Sequence, residues 1–264
     1  MRIAHISDPH LLSFDGARLR DFLSKRWIGG LNLVTNRARE HSAEVFDALV
    51  DDLNAAGVDH VVCTGDVTNV ALPGEFRFAR ERFDRIAAGP RDTTVIPGNH
   101  DAYVDAGVSL FAELFGDFCA SDPGWDHGDW PLVRVRGPVA IVGVTTALQT
   151  PWFTAWGRVG DDQLARLRGV LSDPRLAGRF RIVAIHHPPA GRYARHRRHG
   201  LRDGDAFCAV LAELGADLVL HGHEHRDLRA DIPRPDGAPI PVLGVRSATY
   251  AGRRASHRAG YTIY

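Results

Sequence analysis

Five short apolar runs in this sequence stop at side chains that bind metal ions. Ile3–Ser7 leads into Asp8-Pro9-His10, Val61–Gly65 into Asp66, Thr94–Gly98 into Asn99-His100-Asp101, Ile182–Ile185 into His186-His187, and Leu218–Leu220 into His221-Gly222-His223. A single His or Asp after an apolar run is ordinary turn or capping chemistry. Five in one chain form a set. In the last run the two histidines stand at i and i+2 around a glycine, and a strand's period of two would aim both imidazoles the same way. Asp8, His10, Asp66, Asn99, His186, His221 and His223 exceed what one four- to six-coordinate ion needs, but they suit two ions sharing a carboxylate. Mixed oxygen and nitrogen donors favour Mn²⁺, Fe²⁺ or Zn²⁺ over Ca²⁺ or Mg²⁺, and no cysteine stands near enough to suggest a structural zinc site.

These residues act together only if the elements bring them together. The runs read as strands, and helical patterns lie between them. Val45, Ala48, Leu49 and Leu53 recur at helical spacing over 43–56, with Gly57 as a stop. Further helices are expected over 74–88, around 109–115, over 161–171 and over 203–214. Alternating strands and helices with short links predict an α/β sheet, whose ligands gather at the carboxyl ends of its strands. Apolar segments at 139–145, 240–245 and 260–264 read as further strands, the last two as edges closing the fold. No repeat or linker divides the chain, so 1–264 is expected to be one domain.

The 264 residues are 44% hydrophobic, enough for a substantial core, and 32 basic residues balance 32 acidic ones. That balance gives no reason to expect nucleic acid as a partner, and a small-molecule substrate is expected instead. Cys63, Cys119 and Cys208 are few, odd in number and far apart, which fits a reducing compartment. Met1 leads straight into a strand with no leader pattern, so a cytoplasmic location is expected. Two segments concentrate basic charge. The insert at about 14–40 mixes Arg18, Arg20, Lys25, Arg26, Arg37 and Arg39 with Phe22, Leu23, Trp27, Ile28, Leu31 and Leu33, a composition suited to a packed lid or to peripheral contact with lipid. After Pro188-Pro189, a loop carries Arg192, Arg195, Arg197 and Arg198, candidates for binding an anionic substrate.

The motif set resembles that of the calcineurin-like metallophosphoesterases, in order and along most of the chain: Asp8-Pro9-His10, Gly65-Asp66, Gly98-Asn99-His100-Asp101, His186, and His221-Gly222-His223. The resemblance implies a four-layer α/β/β/α sandwich. It implies one metal on Asp8, His10, Asp66 and His223 and a second on Asp66, Asn99, His186 and His221, with a hydroxide between them attacking phosphorus. It also implies that His100 stabilises the transition state or protonates the leaving oxygen. The protein Ser/Thr phosphatases of the family have a second Asp and an Arg after the Gly-Asp pair, where this chain reads Val67-Thr68-Asn69-Val70. The pattern is closer to the bacterial phosphodiesterase branch. The alternatives are the pyrophosphatases that act on UDP-2,3-diacylglucosamine, a lipid-linked nucleotide diphosphate, and, more remotely, a non-catalytic scaffold of the same fold.

Overall fold

A computed structural model describes residues 1–18, 40–125, 128, 130–235 and 237–264. Residues 19–39 of the 14–40 insert, with its Trp27 and Ile28, lie outside the described residues.

Among the described residues, ten strands form two sheets. The first has the order β10-β1-β2-β3, from Thr262–Ile263, Ile3–Ile6, His60–Cys63 and Thr93–Val95; the second has the order β4-β5-β6-β7-β9-β8, from Leu132–Arg136, Val139–Val144, Phe180–Ile185, Leu218–His221, Ile240–Gly244 and Leu228–Ile232. Helices α1 (Ala43–Ala56), α2 (Pro73–Phe83) and α3 (Asp105–Phe115) pack on the first sheet, while α4 (Asp161–Leu171) and α5 (Gly204–Leu214) pack on the second. Between the sheets, Ile3, Val62, Ile96, Ile141, Ile182 and Leu220 form an apolar seam. The layers are therefore α/β/β/α, as the resemblance implies.

Local chemistry sets the boundaries. Ser42 accepts from the Val45 N–H at 3.3 Å to start α1; Gly57, at φ 60°, ends it and donates to the Asn54 carbonyl; the inner stripe is Phe46, Leu49, Val50 and Leu53. Ile240–Gly244 is not an edge, because it pairs with β7 on one side and with Leu228–Ile232 on the other. That outer strand alternates Leu228, Ala230 and Ile232 with Arg229 and Asp231, which leaves no continuous apolar run to announce it. Buried Arg134 on β4 donates to the carbonyls of Ala120, Pro90, Arg91, Thr93 and Asp117, and so joins an edge of the second sheet to β3 of the first.

The register places the strand ends. Strands β1, β2 and β3 run parallel, Ile6 facing Cys63 and Cys63 facing Val95. Pairing continues past the strands: Asp8 N–H donates to Gly65 O at 2.9 Å and His10 N–H to Asp66 O at 3.0 Å. In the second sheet Gly222 N–H reaches His186 O at 3.1 Å. The carboxyl ends of both sheets meet at one edge of the seam.

Candidate metal centre

Asp66 stands at the middle of that edge, almost fully buried. Its Oδ1 accepts from the His100 N–H at 2.7 Å, while Oδ2 lies 3.8 Å from His10 Nε2 and 3.4 Å from His186 Nε2. One carboxylate oxygen thus sits between two imidazoles from different sheets. On the His10 side, His10 Nε2 and His225 Nε2 are 3.0 Å apart, and Asp8 Oδ1 is 3.3 Å from His225 Nε2. On the other side, Asn99 Oδ1 lies 3.0 Å from His186 Nε2 and 2.9 Å from His223 Nδ1. Two pockets share Asp66: Asp8, His10 and His225 around one, and Asn99, His186 and His223 around the other.

These donor atoms fit cations. His10 Nδ1 pairs with the Thr68 carbonyl at 3.1 Å and His186 Nδ1 with the Thr64 carbonyl at 2.7 Å. A carbonyl only accepts, so both rings carry their proton on Nδ1 and turn the Nε2 lone pair toward Asp66, the arrangement that orients ligand histidines. Burial opposes ionisation of Asp66, but His186, His100 and His10 outweigh it and hold the carboxyl well below the usual range. Asp8 is lowered likewise, with His225 and His186 outweighing burial. Burial also works against the His186 imidazolium, yet Asp66 and Asp8 raise its pKa to about 9. The carboxylates therefore stabilise positive charge at this point, which a divalent ion supplies more strongly than a proton.

The loops holding these groups are constrained. Asp8, His10, Asp66, His223 and His225 all have positive φ, between 43° and 71°, a conformation that costs non-glycine residues energy and concentrates at functional sites. His223 N–H donates to the Asp8 carboxylate at 3.0 Å across the two sheets. Gly222 allows this approach: a methyl group there would fall 1.9 Å from Ser7 Oγ. Asp101, buried, accepts from the N–H groups of Gly98, Val67 and Thr68, tying the loop after β2 to the loop after β3. Burial, then the charge of Asp66, raises its pKa to about 7.

The structure brings together Asp8, His10, Asp66, Asn99, His186 and His223, with His100 beside them. It does not bring His221 with them. The His221 ring lies against β9, where a methyl group on Gly244 would come within 2.6 Å of it, and it lines a separate cavity. His225 takes the place expected for His223, and His223 the place expected for His221. The register slips by two because β7 ends at His221; the chain then turns through Gly222 and the left-handed His223 and His225, and strand alternation no longer applies. Gly222-His223-Glu224-His225, itself a glycine followed by histidines at i and i+2, is the signal that locates both.

A cavity of about 370 Å³ opens over the centre, lined by Asp66, Asn99, His100, His223, Glu224 and His225 together with Ala155, Tyr193, His196 and His199. The basic loop reaches this cavity, but not through the residues expected to do so. Arg192, Arg195, Arg197 and Arg198 are exposed outside it, and Arg195 pairs with Asp205 at 2.9 Å. Those guanidinium groups lie in solvent, while half-buried Tyr193 and the exposed His196 and His199 line the cavity. Two further histidines are spent elsewhere. His187 engages Thr146 Oγ1 at 2.7 Å and the Ala155 carbonyl at 3.0 Å, so neither nitrogen is left for a metal, and His5 bonds Thr64 Oγ1 at 2.9 Å. His41 packs edge-on to His10 with ring centres 5.2 Å apart.

A family model described as calcineurin-like phosphoesterase matches residues 1–227. No curated protein matches the chain. Among solved structures, a dimetal phosphatase from Danio rerio superposes with a TM-score of 0.65 at 15% identity, over 100% of this chain and 91% of that one. A purple acid phosphatase from yellow lupin (Lupinus luteus) seeds gives 0.62 at 14% identity, over 100% of this chain and 48% of that one. A Haemophilus influenzae NAD nucleotidase gives 0.50 at 12%, over 94% and 46%. The chain spans about half the length of the last two. At these identities the likeness is one of fold.

Proposed function

The chain belongs to the calcineurin-like phosphoesterase family, and from that premise we propose that it is a phosphodiesterase working with two divalent ions, of Mn, Fe or Zn. Asp8, His10, Asp66 and His225 would hold one, and Asp66, Asn99, His186 and His223 the other. When bound, such a pair neutralises charge on phosphoryl oxygens and acidifies a water molecule.

The protein's own groups do the rest. The His100 N–H fixes Asp66 Oδ1, which keeps Oδ2 directed between the pockets. His100 Nδ1 pairs with the Asn69 carbonyl at 2.5 Å, so the proton it exchanges with a leaving alcohol would be carried on Nε2. Tyr103, stacked on the His100 ring with centres 5.7 Å apart, holds its plane. Tyr193, His196 and His199 form the wall against which an alcohol component of the substrate would lie.

One observation carries the preference for diesters: the cavity wall includes the Glu224 carboxylate and, among the described residues, no guanidinium. A diester monoanion tolerates that wall better than a monoester dianion, whose second charge needs an added cation. The purified protein is expected to contain Mn, Fe or Zn and to give a higher kcat/KM for bis(p-nitrophenyl) phosphate than for p-nitrophenyl phosphate. Replacing Glu224 with Gln should raise kcat/KM for the monoester by about fivefold, the size of ~1 kcal/mol from one partly exposed charge. A metal-loaded protein that prefers the monoester would refute the diesterase reading, and a metal-free, inert protein would favour a scaffold.

A further inference from the structure

Next to the catalytic cavity lies a second one of about 600 Å³, and Tyr193 lines both. Its wall carries Arg192, Arg226, Arg229 and Arg246 against a single carboxylate, Asp227. Arg246 already engages that carboxylate, through Nε at 2.9 Å and through Nη2. Among the described residues, no acidic side chain lies within 4 Å of the guanidinium groups of Arg192, Arg226 or Arg229. Arg226 directly follows His225 and donates to the Tyr193 hydroxyl at 3.2 Å, which places a cation at the partition between the cavities. Concentrated positive charge is felt nearby: burial, then Arg226 and Arg254, hold His257, on the same wall, below the ordinary histidine range.

Charge is therefore sorted between two adjoining compartments. The one over the metal centre bears Glu224 and imidazoles and suits a monoanion; its neighbour bears the arginines and suits an anion of higher charge. Several guanidinium forks around one space match the oxygens of a phosphoryl group, which accepts paired N–H bonds along each of its edges. We propose that the arginine-lined cavity binds a second phosphoryl group of the same substrate molecule, so that the preferred substrate is a phosphodiester whose alcohol component bears a further phosphate. This rests on the phosphodiesterase reading and deepens it.

The test uses two hydrolysis-resistant probes, the phosphorothioate-linked thymidine dinucleotide with and without a terminal 5′-phosphate, titrated calorimetrically into the metal-containing protein. The wild type should bind the phosphorylated probe about tenfold more tightly, as a few charge-assisted hydrogen bonds would give. In Arg229→Glu and in Arg192→Glu that preference should fall to within about twofold. Equal binding of the two probes by the wild type, or a preference unaltered in both variants, would overturn the proposal. So would binding of inorganic phosphate that depends on Arg229 while the probes bind alike, since the cavity would then take a free anion. Failure to hydrolyse diesters with the probe preference intact would count against the proposed activity alone and leave the subsite standing.

Discussion

The two walls of the centre are built differently. Among the described residues, the wall from the first sheet offers the oxygen donors Asp8, Asp66 and Asn99 together with His10 and His100, and the wall from the second sheet offers the imidazoles His186, His223 and His225. The first wall is braced within itself, by Asp101 across two loops and by Asn69 Nδ2 donating to His10 O at 2.6 Å. The second is braced largely against the first, through the His223 N–H on the Asp8 carboxylate and the His186 ring on the Thr64 carbonyl. Charge that would retain ions thus resides on one side, and the second side would complete each coordination shell. Loss of Asp66, the one first-wall group shared by both pockets, should therefore cost both ions, whereas loss of a single imidazole from the second wall should cost one.

The largest effect is expected from Asp66→Ala. Its Oδ2 lies between the two pockets, so metal content should fall at both and activity drop to background, as elemental analysis and diester hydrolysis would show. Retention of one equivalent with substantial turnover would break the distinction between the walls.

Next is a paired substitution on the second wall. His225→Ala should remove one equivalent of metal and most activity, while His221→Ala should leave metal content near that of the wild type, because its ring packs on β9. The reverse pattern would restore the ligand set inferred from the motif alone.

Smaller again is His100→Ala, on the first wall but outside both ligand sets. Both ions should remain and kcat should fall by roughly 10²–10⁴-fold, the contribution of a general acid–base group. Metal loss in step with activity would make His100 a support for Asp66 rather than a proton donor.

The same contrast explains what could be read in the sequence. On the first wall the candidate ligands lie just beyond the strands that end at Ile6, Cys63 and Val95, and bringing them together on paper needed only the end of an apolar run and the residue types after it. The layering itself came with the family resemblance; helix α1 was legible from Leu49, Leu53 and the stop at Gly57, but Val45 is only half-buried and Ala48 exposed, and Phe46 and Val50 complete the inner stripe instead. On the second wall the outcome depended on backbone conformation. His221 is the last strand residue, and the side chains beyond it are aimed by left-handed φ values at His223 and His225, which residue type does not announce. The basic loop failed for a different reason. Composition marked its arginines as candidates, but the loop is anchored at buried Ala194 and Gly200, and it is Tyr193, His196 and His199 that line the cavity over the centre. Strand β8 escaped because exposed Arg229 and Asp231 interrupt its apolar positions.

The central claim is that Asp66 bridges two ions whose shells are completed by His225 and His223. Anomalous diffraction at the manganese edge from crystals soaked in Mn²⁺ tests it most directly. Two peaks roughly 3.5–4 Å apart, the spacing usual for two-metal phosphoryl centres, are expected on either side of Asp66 Oδ2, one against His225 and the other against His223, with none at His221. A single peak, or a peak coordinated by His221, would contradict it.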